Sequence, residues 1–211
     1  GCLIPEKIDG LIVCEKGISV TNIVNGTTRL QPVVLLTGQA AGVLAAKTVQ
    51  LKKKVREVPV RLVQEELLKM KTYLMPFVDV KPTDPHWEAI QKVGVTGILK
   101  GTGKAEGWGN KMCFFPDSLV TIQTLPYREK ENSFMTLDDL GYAVWKMYNN
   151  NISGKEISRQ DFFKAYTRFI ELTNKTQYRP LSLVFRREVA VVVDHFLKPI
   201  KIQVNHAGEK K

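Results

Sequence analysis

The run from Gln31 to Gly42, Gln-Pro-Val-Val-Leu-Leu-Thr-Gly-Gln-Ala-Ala-Gly, constrains the fold of this chain more than any other segment. Proline fixes φ at about −65° and gives up an N–H that a helix start leaves unpaired anyway, so a helix opens at Pro32. The small residues from Thr37 to Gly42 allow another backbone to come close, and the pattern runs on to about Val49. Unpaired N–H groups at such a start suit a partial negative charge. A small-residue helix packed on a sheet accounts for the same pattern. Thr37, Gly38, Gln39 and Gly42 interrupt the apolar stretch from Val33 to Ala46, which falls short of the roughly 20 residues of a bilayer span, so no membrane span is expected.

Around this helix the chain reads as two parts and a tail. Gly10–Cys14 is a short apolar run suited to a buried strand, and a Gly/Asn/Thr-rich stretch follows from Gly17 to Thr28. Val63–Met70 reads as an amphipathic helix with Leu62, Leu67 and Leu68 inward. Composition changes near Met75-Pro76. Beyond it come Phe77-Val78-Asp79-Val80, a helix from about Pro85 to Val93, and a loop dense in glycine from Gly94 to Gly109. Three helical blocks follow, Thr136–Asn149, Ser158–Thr173 and Phe185–Leu197. Two of them open on a hydroxyl with a carboxylate three residues later (Thr136 and Asp139, Ser158 and Asp161), a pairing that satisfies free backbone N–H groups. The expected division is 1–75, 76–202 and a polar, flexible tail at 203–211. The fold class is mainly α, a helical domain preceded by a small strand-plus-helix remnant of an α/β domain.

Charge and cysteine content narrow the function classes. Lys and Arg outnumber Asp and Glu by 31 to 21, but the densest basic run, Lys52-Lys53-Lys54, sits at a helix C-terminus where the dipole favours it. No recognition motif accompanies the charge, so no nucleic-acid binding is expected. Cys2, Cys14 and Cys113 lack metal-ligand spacing and read as buried thiols. The opening Gly-Cys-Leu-Ile-Pro-Glu has neither the basic start nor the apolar core of a secretion signal, and without an initiator Met the chain reads as a piece of a longer parent.

Four motifs fall in one order over the first part: Asp9-Gly10-Leu11-Ile12-Val13, Ile18-Ser19, Arg29-x-Gln31-Pro32, and Thr37 to Gly42. From Leu3-Ile4-Pro5 through Leu74 the chain resembles the C-terminal end of FAD-dependent oxidoreductases related to fumarate reductase flavoproteins. The resemblance implies that the helix start at Gln31-Pro32 faces the flavin ring, where a reduced flavin develops negative charge near N1 and O2. It implies that Arg29 lies toward the substrate side. The cofactor-facing set is then Arg29, Gln31, Pro32, Thr37, Gly38 and Gln39. One departure stands out: after the strand the family has Ala-Gly-Arg, whereas this chain has Cys14-Glu15-Lys16. The strand–Gly-x-Gly-x-x-Gly–helix unit that holds the FAD pyrophosphate is also missing, since Gly101-Thr-Gly103 continues as Lys-Ala-Glu. FAD is therefore expected in the parent and not in this chain alone, whose partner would be the missing FAD-binding domain.

The second part carries Phe77-x-Asp79-Val80, His86-Trp87-x-x-Ile90, Gly97-Ile98-x-x-Gly101 and Phe115-Pro116-Asp117. These resemble an S-layer homology unit. In that family a helix opened by Thr-Arg-Ala-Glu follows, and its arginine helps hold anionic cell-wall polysaccharide. Ser158-Arg159-Gln160-Asp161 and Phe185-Arg186-Arg187-Glu188 resemble weakened copies, making Arg159 and Arg186 the candidate glycan contacts. Thr121-Ile122-Gln123-Thr124 and Thr136-Leu137-Asp138-Asp139 lack the arginine. His86-Trp87 reads as a helix start and core anchor, Tyr142, Trp145 and Tyr148 as core at helical spacing, and Asp194-His195 as no dyad, since no nucleophile accompanies it. The leading expectation is the C-terminal fragment of a flavin-dependent oxidoreductase, inactive alone. The alternative is a carbohydrate- or cell-wall-binding module, with acidic polysaccharide as ligand and a polysaccharide-processing parent. A lyase or hydrolase would need paired acids in a cleft, which the sequence does not declare. The resemblance points to a cell-envelope or exported parent.

Overall fold

A computed structural model describes residues 1–125, 133–151 and 156–209. It is mainly helical, with seven α-helices and one two-stranded antiparallel sheet among the described residues. The chain forms two compact units, Gly1–Leu74 with Ile200–Lys211, and Met75–Pro199.

The first unit is built on α1 (Asn22–Thr28), α2 (Gln31–Leu51) and α3 (Val60–Lys69). Helix α1 lies in the Gly/Asn/Thr-rich stretch; Thr21 caps it by accepting the Val24 N–H at 3.4 Å. Proline opens α2 as its chemistry dictates, and Lys52, in a left-handed conformation, closes it by donating to Thr48 and Val49. Helix α2 packs on α3, which buries Leu67 and Leu68 but leaves Leu62, expected inward, exposed; Leu44 of α2 clusters with Val55 and Val58 of the connecting segment, joined by Ile4, Ile12 and Val63. Lys47 and Glu66 pair across the two helices at 2.8 Å. Gly10–Cys14 is not a strand. Its one tie to the preceding segment is Val13 N–H to Leu3 O, 2.8 Å. No β-strand among the described residues lies beside it, so the apolar run stays extended without a ladder.

Residues 200–209 complete this unit. Ile200 and Val204 are buried, Arg61 donates to Ile202 O at 3.1 Å, Lys201 pairs with Glu65 at 2.6 Å, and the His206 ring meets Arg56 O at 2.7 Å. The polar segment from Gln203, read from composition as a tail, thus includes an apolar side chain in the core of the first unit. Residues 210 and 211 lie outside the described residues.

Helix α2 is also the one helix among the described residues long and apolar enough to cross a membrane by length and composition. The polar interruptions that argue against an unbroken apolar run do not lower the average enough to disqualify it, and 22% of that stretch is buried.

The second unit contains α4 (Trp87–Val95), the hairpin β1 (Thr102–Glu106) and β2 (Gly109–Cys113), α5 (Leu137–Asn151), α6 (Arg159–Asn174) and α7 (Arg186–Leu197). The glycine-dense stretch is therefore a hairpin rather than a loop. Gly107 takes a φ of 58° at its turn, and the residues on either side pair in register from Thr102↔Cys113 to Glu106↔Gly109.

Three short extended segments close on one another in a ring. The N–H of Val120 donates to Val184 O (3.0 Å), that of Val184 to Met135 O (3.1 Å), and that of Met135 to Val120 O (2.7 Å). Equivalent bonds repeat one step outward: Ile122 to Ser133 O, Leu137 to Ser182 O, and Arg186 to Ser118 O. Ile122, Leu137 and Arg186 each open a helical element, the first a single turn at Ile122–Thr124, the others α5 and α7. Val120, Met135 and Val184 are buried, so the ring is a core feature.

Helices α5 and α6 meet through Gly141, where an added Cβ would lie 2.7 Å from the Tyr166 ring and 3.1 Å from Phe163. Tyr166 is buried and donates to Leu137 O at 2.7 Å, so its ring has no room to give way. Gly141→Ala should destabilise the second unit by about 1–3 kcal/mol through overpacking, despite a helix-propensity gain of about 1 kcal/mol. Denaturant unfolding of both proteins checks this.

Candidate functional site

The residues assigned to a flavin by resemblance lie at the start of α2 and over its second and third turns, where the consecutive Thr37, Gly38 and Gln39 point in different directions around the helix. Arg29 ends α1, Leu30 is the N-cap of α2, and Gln31 and Pro32 form its first turn. Leu30 O accepts from both Val33 and Val34 at 3.0 Å, and Pro32 has no N–H, which leaves the Gln31 N–H pointing out of the helix. Thr37 turns its hydroxyl back onto Val34 O at 2.9 Å. Positions 38 and 42, the glycines of the small-residue pattern, have nothing within 4 Å of where a Cβ would stand. The surface the sequence shapes for close approach is therefore uncovered. Leu35, on the same side of α2, shares this exposure at 72%.

Glu15 gives the departure at Cys14-Glu15-Lys16 a backbone meaning. Cys14 is extended at φ −133°, and Glu15 takes a φ of 56° to begin a 3-10 turn over Glu15–Gly17. A left-handed conformation costs a residue with a Cβ roughly 1–2 kcal/mol, and glycine almost nothing. Both Cys2 and Cys14 are exposed, against the expectation of buried thiols, while Cys113 is buried.

The residues assigned to the flavin offer one outward helix-start N–H, and the glycines expected at a pyrophosphate are committed elsewhere. Gly101 is wedged at the root of the hairpin, where a Cβ would lie 2.5 Å from the Phe77 ring, and Gly103 is inside β1.

The second unit separates its two candidate arginines. Arg186 donates from Nε to Phe114 O at 2.7 Å and from Nη2 to Lys100 O at 2.9 Å, with its guanidinium over the Phe114 ring. Burial lowers its pKa, partly offset by Asp79. Asp79 in turn accepts from Phe114 N–H at 2.8 Å and Phe115 N–H at 2.6 Å. Together they clamp a turn in which Phe115 adopts a φ of 55°. Arg159 is exposed and lies over both Tyr142 and Phe163, 5.0 and 5.2 Å from the ring centres. Trp145 donates to Ile157 O at 3.0 Å. Losing Arg186 to alanine should lower stability by about 1.5–3 kcal/mol, the range for hydrogen bonds to a charged group. Arg159→Ala should cost about 1 kcal/mol or less, the range for an exposed cation over a ring. Thermal and urea unfolding of the two variants separates them.

Asp194 and His195 do not face each other as a dyad. Asp194 pairs with Lys92 at 3.4 Å, and Lys92 also holds Glu88 at 2.8 Å, tying α4 to α7. His195 stacks on Phe169 with ring centres 4.0 Å apart. Burial there, aided by the Lys198 charge and opposed by Asp194, holds its pKa below the usual 6.5. The folded state then favours neutral His195: this contribution is present above about pH 6.5 and is lost as pH falls through the lowered folded value. Stability should decline as pH drops below that point, and His195→Gln should remove part of the decline, read from urea midpoints across the range.

Residues 1–67 match the family model of FAD dependent oxidoreductases; the remainder of the chain is unassigned. No curated protein and no solved structure matches the chain. The N-terminal region is thus related to the FAD-dependent oxidoreductase family. Among the described residues no group of His, Cys, Asp and Glu is arranged to hold a metal ion.

Proposed function

We propose that residues 1–74 supply the flavin-facing helix of an FAD-dependent oxidoreductase and that this chain alone is not catalytic. The observation that carries the reading is the coincidence of the family match with the uncovered side of α2, where small and apolar residues stand exposed. The partner is the FAD-binding domain of the parent. Its backbone would close over Thr37, Gly38 and Gln39, with the Gln31 N–H and Arg29 toward the isoalloxazine edge and substrate. One helix terminus contributes about 0.3–1 kcal/mol of charge stabilisation, against roughly 8 kcal/mol for micromolar affinity.

The chain should therefore leave gel filtration colourless after mixing with FAD, with a dissociation constant weaker than about 10 µM. Mixing with the parent's FAD-binding domain should give a yellow complex. Retention of FAD by the chain alone, or no complex with that domain, defeats the proposal. Glu15→Gly should stabilise the first unit by about 0.5–1 kcal/mol as left-handed strain is relieved against the added freedom of glycine, without conferring flavin binding.

A second reading, a carbohydrate-binding role for the S-layer-homology-like part, is supported by the exposed guanidinium of Arg159 against two rings. Loss of acidic-polysaccharide binding in Arg159→Ala at about 0.15 M salt, where simple charge attraction is screened, would favour it.

A further inference from the structure

We propose that the β1–β2 hairpin docks this protein on an anionic lipid bilayer, with Trp108 entering the headgroup layer and Lys104 and Lys111 meeting the lipid phosphates. Trp108 is 109% exposed, more than in a reference chain, so it contributes nothing to packing. Nor does the turn require it. Gly107 alone of the two turn residues has a positive φ, and a two-residue turn of that kind asks for glycine first and tolerates many residues second. A large aromatic side chain without a structural role stands at the outermost point of an exposed hairpin.

The charges behind it fit the same partner. Lys104 and Lys111 are direct cross-strand partners, an arrangement that repels unless counter-charge is supplied. Glu106 takes Lys111 at 2.9 Å, so two cations share one carboxylate. The lysine pair stands two ladder steps behind the last pair, Glu106↔Gly109, which is about 7 Å at the usual strand rise. Interfacial apolar groups enter a bilayer by about 5–10 Å, and tryptophan favours the headgroup level. The tip and the cations are thus spaced for insertion and phosphate contact together. Every residue of β1 is exposed, while Met112 and Cys113 anchor the root of β2. A sugar-stacking tryptophan would instead flank a groove with polar partners. The grooves along Gln160–Glu171 and Gln177–Ser182 are lined by other residues.

The test uses the full chain and vesicles of phosphatidylcholine with or without about 30% phosphatidylserine. Co-sedimentation should require the anionic lipid, and tryptophan emission should shift to the blue on binding. Trp87 is fully buried and Trp145 half-buried, so a shift that Trp108→Ala abolishes belongs to the hairpin tip. Each lysine drawn to an anionic surface strengthens attachment about fivefold; Lys104→Gln with Lys111→Gln should weaken it accordingly, and Trp108→Ala at least as much. All three side chains are exposed, so the variants should keep the wild-type circular dichroism spectrum. The proposal fails if the vesicles do not bind, if these variants bind within about twofold of wild type, or if Trp108 responds to soluble acidic polysaccharide and not to vesicles. None of these outcomes depends on whether the first unit serves a flavoprotein.

Discussion

The ring closed by Val120, Met135 and Val184 sets the position of three helical starts in the second unit. Each segment both donates to one neighbour and accepts from the other, so none can be removed without leaving a buried backbone group unpaired. An unpaired group of that kind costs about 1–3 kcal/mol. Two residues beyond each ring position a helical element begins, so the backbone bonds of the ring help fix where α5 and α7 start. Gly141, Tyr166 and the Lys92 ion pairs then fix how the helices meet.

The helices of this unit were legible because their signals are local. The Thr136 hydroxyl accepts from Asp139 N–H at 3.2 Å while the Asp139 carboxylate accepts from Thr136 N–H at 3.1 Å, the reciprocal bonding expected from that pair. Ser158 accepts from Asp161 N–H at 3.1 Å in the same way. At α7 the Glu188 carboxylate reaches the Phe185 N–H at 2.8 Å, although Phe185 has no side-chain acceptor of its own. The hairpin was illegible for the opposite reason. Glycine at 101, 103, 107 and 109 signals turns, but only the pairing partner decides which glycines lie in strands. Gly10–Cys14 failed as a strand because period and apolarity describe a segment's needs without guaranteeing it a neighbour.

The candidate site shows a similar split. Arg159 and Arg186 occupy equivalent places after a cap residue, and their surroundings are unlike. The carbonyls that engage Arg186 belong to Lys100 and Phe114, more than seventy residues away in sequence. Among the described residues, Arg159 lies over the nearby aromatic rings of Tyr142 and Phe163. Motif position specifies where a guanidinium begins, and distant backbone specifies whether it is free to meet a ligand. Along α2, by contrast, the small-residue pattern was legible as a demand for close approach, and the open space beside Gly38 and Gly42 is that same demand unmet among the described residues.

The first unit draws on both ends of the sequence. Arg61 is buried with its Nε committed to Ile202 O, and Val204 sits in the core of that unit. During synthesis on a ribosome, all of the second unit emerges before residues 200–206 do. The helical insert can therefore reach its native state while the flanking unit is still waiting for its last segment. Until that segment is released, the guanidinium of Arg61 has no Ile202 carbonyl to meet, and the apolar surface that Ile200 and Val204 cover stays open to water or to chaperones.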